Sequence, residues 1–222
     1  MNLKVKMADI KSPIVFTEEY RKLIIEKLSD KNFTYQDWSN DDLLGLRKFI
    51  RDYYRDLIKE CSYCKKDISL QSANNCHVEH IIPKSNKPLK FIFEPKNLCV
   101  LCSDCNEIKK NKEVEDQVIK RKKAYSSYPR TSESFLVVHP HFDNYEDHIF
   151  KCDDIYIDLT TKGSYTMYIC KLNRKIHKFG IEPIMLSQSA LFDLFNEIMN
   201  EKNYTKQNIL MNKLRTYFVK AS

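Results

Sequence analysis

The 222-residue chain lacks the long apolar runs that membrane-spanning and exported segments require. No stretch approaches the roughly 18 consecutive apolar residues that a transmembrane helix needs. The first residues cannot form the apolar core of a signal peptide, because Lys4, Lys6 and Asp9 interrupt them. The sequence also has no internal repeat and no low-complexity segment. We therefore expect a soluble, cytoplasmic protein that does not associate with a membrane.

The charge balance indicates the class of partner, and the cysteine spacing indicates metal ligation in a reducing compartment. Lysine and arginine number 37 against 30 acidic residues, which gives a formal net charge of +7. A moderately basic chain favours a polyanionic partner, and nucleic acid is a more common one than an acidic protein. The chain has eight cysteines. Their paired spacing fits metal ligation in a reducing compartment better than disulfide bonding.

Paired cysteines predict a structural zinc site. Cys61 and Cys64 form one C-x-x-C pair, while the run through Cys99, Cys102 and Cys105 offers two overlapping choices for the second. Tetrahedral zinc takes four thiolates from two such pairs. We assign Cys102 and Cys105 to the metal and Cys99 to the apolar interior. Four sulfurs close the coordination shell, so this Zn²⁺ is expected to hold the fold and to take no part in chemistry.

Polar residues suited to phosphodiester chemistry lie between and beside the cysteine pairs. They are His77, Glu79, His80, Asn97 and Asn106. We predict the order strand, loop, strand, short helix for this region. The first strand is expected to end near Pro83, since proline cannot donate to a continuing ladder. Ser103 and Asp104 offer caps for the short helix.

Three short runs resemble the HNH endonuclease motif in its zinc-ribbon form. They are His77-Val78-Glu79-His80-Ile81-Ile82-Pro83, Asn97-Leu98, and Leu101-Cys102-Ser103-Asp104-Cys105-Asn106-Glu107-Ile108-Lys109. The resemblance covers residues 61–112. It implies that this segment folds as a ββα-metal finger around one divalent ion.

The resemblance also implies roles for individual residues. Glu79 and Asn106 are expected to bind the divalent ion. His80 is expected to act as the general base, and Asn97 to steady the loop that orients it. Glu79 stands where the family more often has Asp, and Asn106 is a common family variant of His. The choice between Mg²⁺ and Mn²⁺ therefore stays open.

The chemistry of these side chains agrees with the implied roles. A neutral imidazole, whose unperturbed pKa is about 6.5, can take a proton from an attacking water near neutral pH. Carboxylate and amide oxygens suit Mg²⁺ or Mn²⁺, which can stabilise the departing 3′ oxygen. His77 shares a strand face with Glu79, and it could be a third ligand, a phosphate donor or a structural residue.

Lysines surround the motif and are candidates for nucleic-acid contacts. Lys84 and Lys87 lie in the loop between the two strands, and Lys109, Lys110 and Lys112 follow in and after the short helix. On a nuclease these ammonium groups are expected to contact DNA phosphates, which makes affinity depend on salt concentration. The competing interpretation is an ordinary solvated surface.

The segment from His139 to His148 is dense in potential metal ligands. We interpret it as a polar loop that anchors the C-terminal region to the finger, and a second metal site is the less favoured reading. The segment also resembles one that follows the finger in HNH proteins encoded with ATPase partners in Septu-type bacterial defence systems. That resemblance implies an anti-phage or restriction-like nuclease with an ATPase companion.

Flanking patterns predict an α+β fold, with helices before the finger and a hairpin plus helices after it. The pattern places helices over residues 17–29 and from residue 43 to about 57. It places a hairpin with strands near 155–159 and 165–170, joined by a turn at 160–163, and two terminal helices. The predicted regions are an N-terminal helical region at 1–60, the nuclease finger at 61–124, and a C-terminal hairpin and helical module at 125–222.

These patterns together predict a metal-dependent endonuclease that hydrolyses DNA. Two other classes compete with it: a non-catalytic zinc module that only binds nucleic acid, and a zinc-stabilised protein-interaction module. Both keep the cysteines and lysines. Neither requires Glu79, His80 and Asn106 to converge on one site.

Overall fold

The computed structural model describes residues 8–85, 88–116, 127–152, 154–179 and 189–221. The chain forms two compact units, Met1–Asn173 and Arg174–Ser222. The predicted boundaries at residues 60 and 124 lie inside the first unit, and the three-part division stays a prediction. Within the ranges described, no helix is both long enough and apolar enough to cross a membrane.

Two helices precede the finger, as predicted. Helix α1 spans Glu18–Ser29, and the side chain of Thr17 caps it by accepting a hydrogen bond from the backbone N–H of Tyr20. Helix α2 spans Leu44–Ile58 and ends at Lys59, whose backbone is left-handed with φ of 55°. Acidic residues in the first turn of α1 complement the helix dipole. A local capping signal therefore marks the start of α1, whereas α2 begins without a side-chain cap.

The finger itself follows the predicted order of strand, loop, strand and helix. Strand β1 (His77–His80) pairs antiparallel with strand β2 (Leu98–Leu101), and Glu79 lies opposite Cys99 in the register. Helix α3 (Ser103–Lys109) follows β2 directly. Its N-cap is Cys102 and not the predicted Ser103 or Asp104. The cap and the sulfur cluster thus share one residue.

The core of the first unit lies between α2 and the β1–β2 sheet. Helix α2 buries Leu46, Ile50 and Tyr54, and all four residues of β2 are buried. The Tyr54 hydroxyl donates a hydrogen bond to the Pro95 carbonyl at 2.8 Å, which ties α2 to the loop before β2. The apolar stripe of this helix therefore packs on the strands of the finger and joins the same core as the four cysteines.

A hairpin follows the finger, and one of its strands is the one predicted near 155–159, but its partner is not the predicted strand at 165–170. Strand β3 (Ile149–Cys152) pairs antiparallel with strand β4 (Ile155–Asp158). Residues Thr161–Cys170 form helix α4, so the predicted second strand at 165–170 is wrong. The predicted turn is the N-terminus of that helix, because the Thr160 hydroxyl accepts the N–H of Gly163 at 3.1 Å.

Tertiary packing explains why residues 161–170 are helical despite their β-branched and aromatic content. Thr166, Ile169 and Cys170 are buried at helical spacing. A Cβ atom at Gly163 would lie 2.0 Å from the His148 carbonyl oxygen, so glycine allows the helix to approach the hairpin closely. This contact overrides the local preference for a strand.

The segment from residue 139 to 148 joins three parts of the first unit, which confirms its anchoring role. His141 donates from Nε2 to the Leu98 carbonyl on β2 at 2.8 Å. The Pro140 carbonyl accepts from the backbone N–H of Ile10 at 2.8 Å, and Lys162 of α4 donates to Asp143 at 3.0 Å. In the described ranges, the four-cysteine cluster is the sole group of His, Cys, Asp or Glu side chains close enough to hold a metal.

The second unit contains helices α5 (Arg174–Phe179), α6 (Ser189–Asn200) and α7 (Tyr204–Ala221). Helices α6 and α7 pack against each other, which confirms the two predicted terminal helices. Short 3-10 turns elsewhere in the chain span Tyr35–Ser39, Asp41–Leu43, Leu89–Phe93, Pro95–Asn97, Ser132–Ser134 and Tyr145–Asp147.

Candidate zinc site and active site

Four buried cysteines form the cluster that the sequence predicted. The Sγ atoms of Cys61, Cys64, Cys102 and Cys105 all lie within 4.8 Å of one another. The Cys64 and Cys102 sulfurs are 3.7 Å apart, close to the spacing expected when four thiolates surround one Zn²⁺ with bonds of about 2.3 Å. The donor set and its geometry therefore fit a tetrahedral zinc ion.

The first cysteine pair lies on a tight turn that is hydrogen-bonded to strand β2 of the finger. Lys65 is left-handed with φ of 51°, and its N–H donates to the Cys61 carbonyl at 3.0 Å. The N–H of Ser62 donates to the Val100 carbonyl of β2 at 3.1 Å. These bonds bring the two pairs together although about 40 residues separate them in sequence.

Cys99 lies outside the cluster, as predicted. It is fully buried on β2, and burial raises the pKa of its thiol to about 12. The thiol is therefore protonated at neutral pH and behaves as a small apolar side chain. The choice of Cys102 and Cys105 over Cys99 agrees with the sulfur positions.

The proposed catalytic residues line one cavity beside the zinc cluster. Glu79 and His80 reach it from β1, and Asn106 reaches it from α3. The cavity has a volume of about 650 Å³. Glu79 and Asn106 thus line the same space, and carboxylate and amide oxygens are hard donors that suit Mg²⁺ or Mn²⁺. Its other charged lining residues are Arg47, Arg51, Lys84, Glu107 and Lys110.

His80 is a buried imidazole held by two contacts. Its Nε2 atom donates to the Ile92 carbonyl at 3.0 Å, and the ring packs edge-on against Trp38 with centroids 4.6 Å apart. Burial, aided by the charge of Lys84, lowers the pKa of His80 to about 3. The ring is therefore neutral at physiological pH. With Nε2 as the donor, Nδ1 keeps a lone pair that can accept a proton, although burial makes this ring a weaker base than a free imidazole.

Glu79 forms a buried ion pair with Lys109, a residue of α3. The Lys109 ammonium donates to Oε1 of Glu79 and also to the His80 carbonyl at 3.1 Å. Burial raises the pKa of Glu79, and the attraction of Lys109 opposes that shift. The predicted phosphate contact of Lys109 does not fit this position, because its side chain is 0% exposed. Sequence alone could not reveal that α3 turns this lysine toward β1.

We expect Lys109→Met to lower the free energy of unfolding by about 3 kcal/mol, because it leaves the Glu79 carboxylate buried without its cation. The double variant Lys109→Met/Glu79→Gln should recover most of that loss, since no unpaired charge then remains. Urea denaturation of the zinc-loaded protein measures both. Lys110→Met is the matched control, because Lys110 forms an exposed pair with Glu107 that contributes little. Equal effects at the two positions would contradict the interpretation.

Asn97 fixes the loop that follows β1. Its side-chain oxygen accepts the N–H of Ile82 at 2.7 Å, and its amide group donates to the carbonyls of Ile82 at 3.2 Å and Phe91 at 2.9 Å. Asn97 is 1% exposed, so these bonds are shielded from water. This loop connects His80 to Ile92, whose carbonyl accepts the hydrogen bond from the His80 ring. Asn97 therefore lies where a residue that steadies the loop is expected.

His77 lines the same cavity, and its contacts resemble those of a structural residue. Its Nε2 atom lies 3.1 Å from the Asn74 carbonyl and 3.3 Å from the Ser103 hydroxyl. These contacts join β1 to the start of α3. A ligand role for His77 stays a prediction.

The remaining predicted lysines differ in their surroundings. Lys84 is half-buried and lines the cavity, and burial lowers its pKa. Lys110 lines the cavity too and pairs with Glu107. The ammonium of Lys112 donates to the Ile169 carbonyl of α4 at 2.6 Å, so it serves the fold. Lys87 lies outside the described residues.

The sequence interpretation missed one wall of the cavity, which comes from the N-terminal region. Trp38 and the arginines Arg47 and Arg51 of α2 all line it. The arginines are four residues apart and therefore share a helix face, but the sequence pattern of this helix indicates only its apolar face. Arg47 donates to the Asn40 carbonyl at 2.7 Å, which fixes the turn that carries Trp38.

Comparison with known proteins supports the resemblance found in the sequence. Residues 61–112 match the family model described as HNH endonuclease. A protein of Vibrio cholerae serotype O1 biovar El Tor, named "Retron Vc95 putative HNH endonuclease", is 38% identical over 79 residues. That match covers 34% of this chain and 37% of the relative, so the chain spans little more than a third of its relative's length. No solved structure matches the chain.

Proposed function

We propose, from the premise that residues 61–112 form an HNH endonuclease domain, that this chain hydrolyses phosphodiester bonds of DNA in a metal-dependent reaction. The observation that carries the proposal is the convergence of Glu79, His80 and Asn106 on one cavity. Remote positions in the sequence meet there because β1 pairs with β2, which leads directly into α3. A general base next to two hard oxygen donors is the equipment for activating water at a phosphate.

Each residue has a distinct part in the proposed reaction. His80 accepts a proton from the attacking water through Nδ1, while the Ile92 carbonyl and Trp38 keep the ring in place. Glu79 and Asn106 hold Mg²⁺ or Mn²⁺. When bound, the ion stabilises negative charge on the departing 3′ oxygen. Lys109 engages one oxygen of Glu79 and so orients the carboxylate.

The substrate and the compartment follow from charge and cysteine chemistry. Lys84 and Lys110 line the cavity and supply cations for a DNA backbone. Lys87, three residues after Lys84 in the sequence, stays a predicted contact. The described cysteines are free thiols, and four of them form the zinc cluster. Free, paired thiols are typical of a reducing compartment, which supports a cytoplasmic protein.

We further propose that the chain is the nuclease component of a bacterial anti-phage system with an ATPase companion. The name of the Vibrio cholerae relative assigns that protein to a retron. The resemblance of residues 139–148 to Septu-type HNH proteins points in the same direction. An effector of this kind kills or restricts by cutting DNA and must be restrained until infection.

Plasmid cleavage tests the enzymatic proposal. Supercoiled plasmid incubated with the zinc-loaded protein should be nicked or linearised when Mg²⁺ or Mn²⁺ is added. Chelating the added ion with EDTA should stop cleavage within the assay, because Glu79 and Asn106 then lack the ion that stabilises the leaving group. A folded, zinc-loaded protein that leaves plasmid intact with either ion, alone and with its ATPase companion, would contradict the proposal.

One observation favours a second candidate, a non-catalytic zinc module that binds nucleic acid. Lys109 already neutralises Glu79 in the interior, as in a purely structural ion pair. Such a module keeps the zinc cluster and the basic cavity and does not need the ion-dependent step. It binds DNA equally well with and without Mg²⁺ and never cleaves it, which separates it from the enzyme in the same assay.

A further inference from the structure

Three arginines of α2, Arg47, Arg51 and Arg55, are spaced four residues apart. Within the described ranges, two of them donate hydrogen bonds to backbone carbonyls, and the third does not. Arg55 is buried and donates to the carbonyls of Leu70 at 2.6 Å and Ser72 at 3.4 Å, so it holds a loop. Arg47 lines the cavity and donates to the Asn40 carbonyl. Arg51 also lines the cavity, but its guanidinium makes no hydrogen bond or ion pair with any residue that the structure describes.

The Arg51 guanidinium is in an unusual position for an unpaired cation. The side chain is half-buried, and its Nε atom is shielded from solvent without an acceptor. Shielding a charged donor from water without supplying an acceptor is unfavourable. An acceptor supplied from outside the chain would remove that cost. The position therefore indicates a site for an anion.

The charge of the cavity supports the same conclusion. Its two acidic lining residues already have cationic partners, since Glu79 pairs with Lys109 and Glu107 pairs with Lys110. Lys84, like Arg51, has no ion pair within the described part of the chain. The cavity thus has more cations than it can neutralise itself, and a bound phosphate group would restore the balance.

We propose that Arg51 binds a phosphate of the nucleic-acid substrate next to the bond that is cut, with Lys84 as a second contact. The proposal rests on the proposed function, and it extends the active site beyond residues 61–112 to a helix of the N-terminal region. Arginine suits this position because its planar fork can bind two phosphate oxygens at once. Arg47 and Trp38 support the same wall.

The test compares Arg51→Gln with Lys48→Gln, both in a His80→Ala background so that DNA is bound and not cleaved. Lys48 is on the same helix, is 73% exposed and pairs with Asp52, so its removal makes the same change in net charge away from the cavity. Affinity for a short duplex is measured by fluorescence anisotropy at several salt concentrations. Melting temperatures confirm that each variant is folded.

Arg51→Gln should weaken binding about tenfold and make the salt dependence shallower by roughly 0.9 in log–log slope. Lys48→Gln should leave both within twofold of the parent. Arg51→Lys should restore the slope but only part of the affinity, because an ammonium cannot bind two oxygens in the fork geometry. Indistinguishable binding by Arg51→Gln and Lys48→Gln would overturn the proposal.

Failure of this proposal and failure of the proposed function give different results. A wild-type protein that never cleaves plasmid, together with the Arg51 effect on binding, overturns the enzyme and keeps the phosphate site. Cleavage by the wild type with no effect of Arg51→Gln on binding keeps the enzyme and overturns the phosphate site. A parent that binds no DNA at any salt concentration overturns both.

Discussion

His80→Ala should lower the rate of plasmid cleavage by about 10²–10⁴-fold, the usual contribution of a general base. The structure gives the reason: His80 lines the cavity beside Glu79, and its ring is neutral at physiological pH. Cleavage is measured under single-turnover conditions with Mg²⁺ or Mn²⁺. DNA affinity should stay close to that of the wild type, because the alanine removes no charge at neutral pH.

A control is needed because the His80 ring also packs against Trp38 and bonds to the Ile92 carbonyl. Alanine leaves a small cavity there and removes that bond, which lowers stability by a few kcal/mol. His80→Gln keeps a side-chain donor near Ile92 and fills more of the space, but an amide cannot take up the proton. Wild-type rates in both folded variants would exclude His80 as the base.

Cys61→Ala should have the largest effect on folding, because it opens the zinc shell. Structural zinc contributes about 10–16 kcal/mol of binding free energy in zinc-finger peptides at neutral pH. Net stabilities of domains are only about 5–15 kcal/mol. We therefore expect loss of bound zinc and of the cooperative thermal transition of the finger, measured by elemental analysis and circular dichroism.

Cys99→Ala is the matched control for that experiment. Cys99 is as deeply buried as Cys61 and lies on the strand that precedes the second cysteine pair, but its sulfur is outside the cluster. The substitution should keep one zinc per chain and cost only about 1 kcal/mol from the lost packing. Loss of zinc from Cys99→Ala and retention in Cys61→Ala would reverse the ligand assignment.

The zinc ligands and the order of elements in the finger could be predicted because tetrahedral coordination imposes a spacing on sequence. Two C-x-x-C pairs must lie on tight turns that face each other, and Cys61 and Cys105 do so. The ends of the short elements are also near the predicted positions, since β1 ends at His80, three residues before Pro83, and α3 begins at Ser103 with Cys102 as its cap. These features depend on neighbouring residues and not on distant packing.

The hairpin error and the position of Lys109 have a different origin. Residues 161–170 have strand-like composition, yet the fit of Gly163 against His148 decides for a helix. In the sequence, Lys109 resembles several other surface lysines. It is buried because the face of the seven-residue helix α3 that carries it is turned toward β1. Arg51 was missed for the same reason, since nothing local indicates which face of α2 borders a cavity. Such features depend on contacts between elements far apart in sequence.

Hydrogen bonds that cross the boundary of the HNH segment determine whether a fragment limited to that segment would be stable. Among the carbonyls within 61–112 that accept hydrogen bonds from side chains outside it are those of Cys64, Pro95 and Leu98, which bond to Tyr156 at 2.6 Å, Tyr54 at 2.8 Å and His141 at 2.8 Å respectively. A fragment trimmed to the family match would leave these acceptors orphaned at about 1–3 kcal/mol each. The HNH segment is therefore an integral part of the larger unit, and we do not expect it to be stable when it is excised.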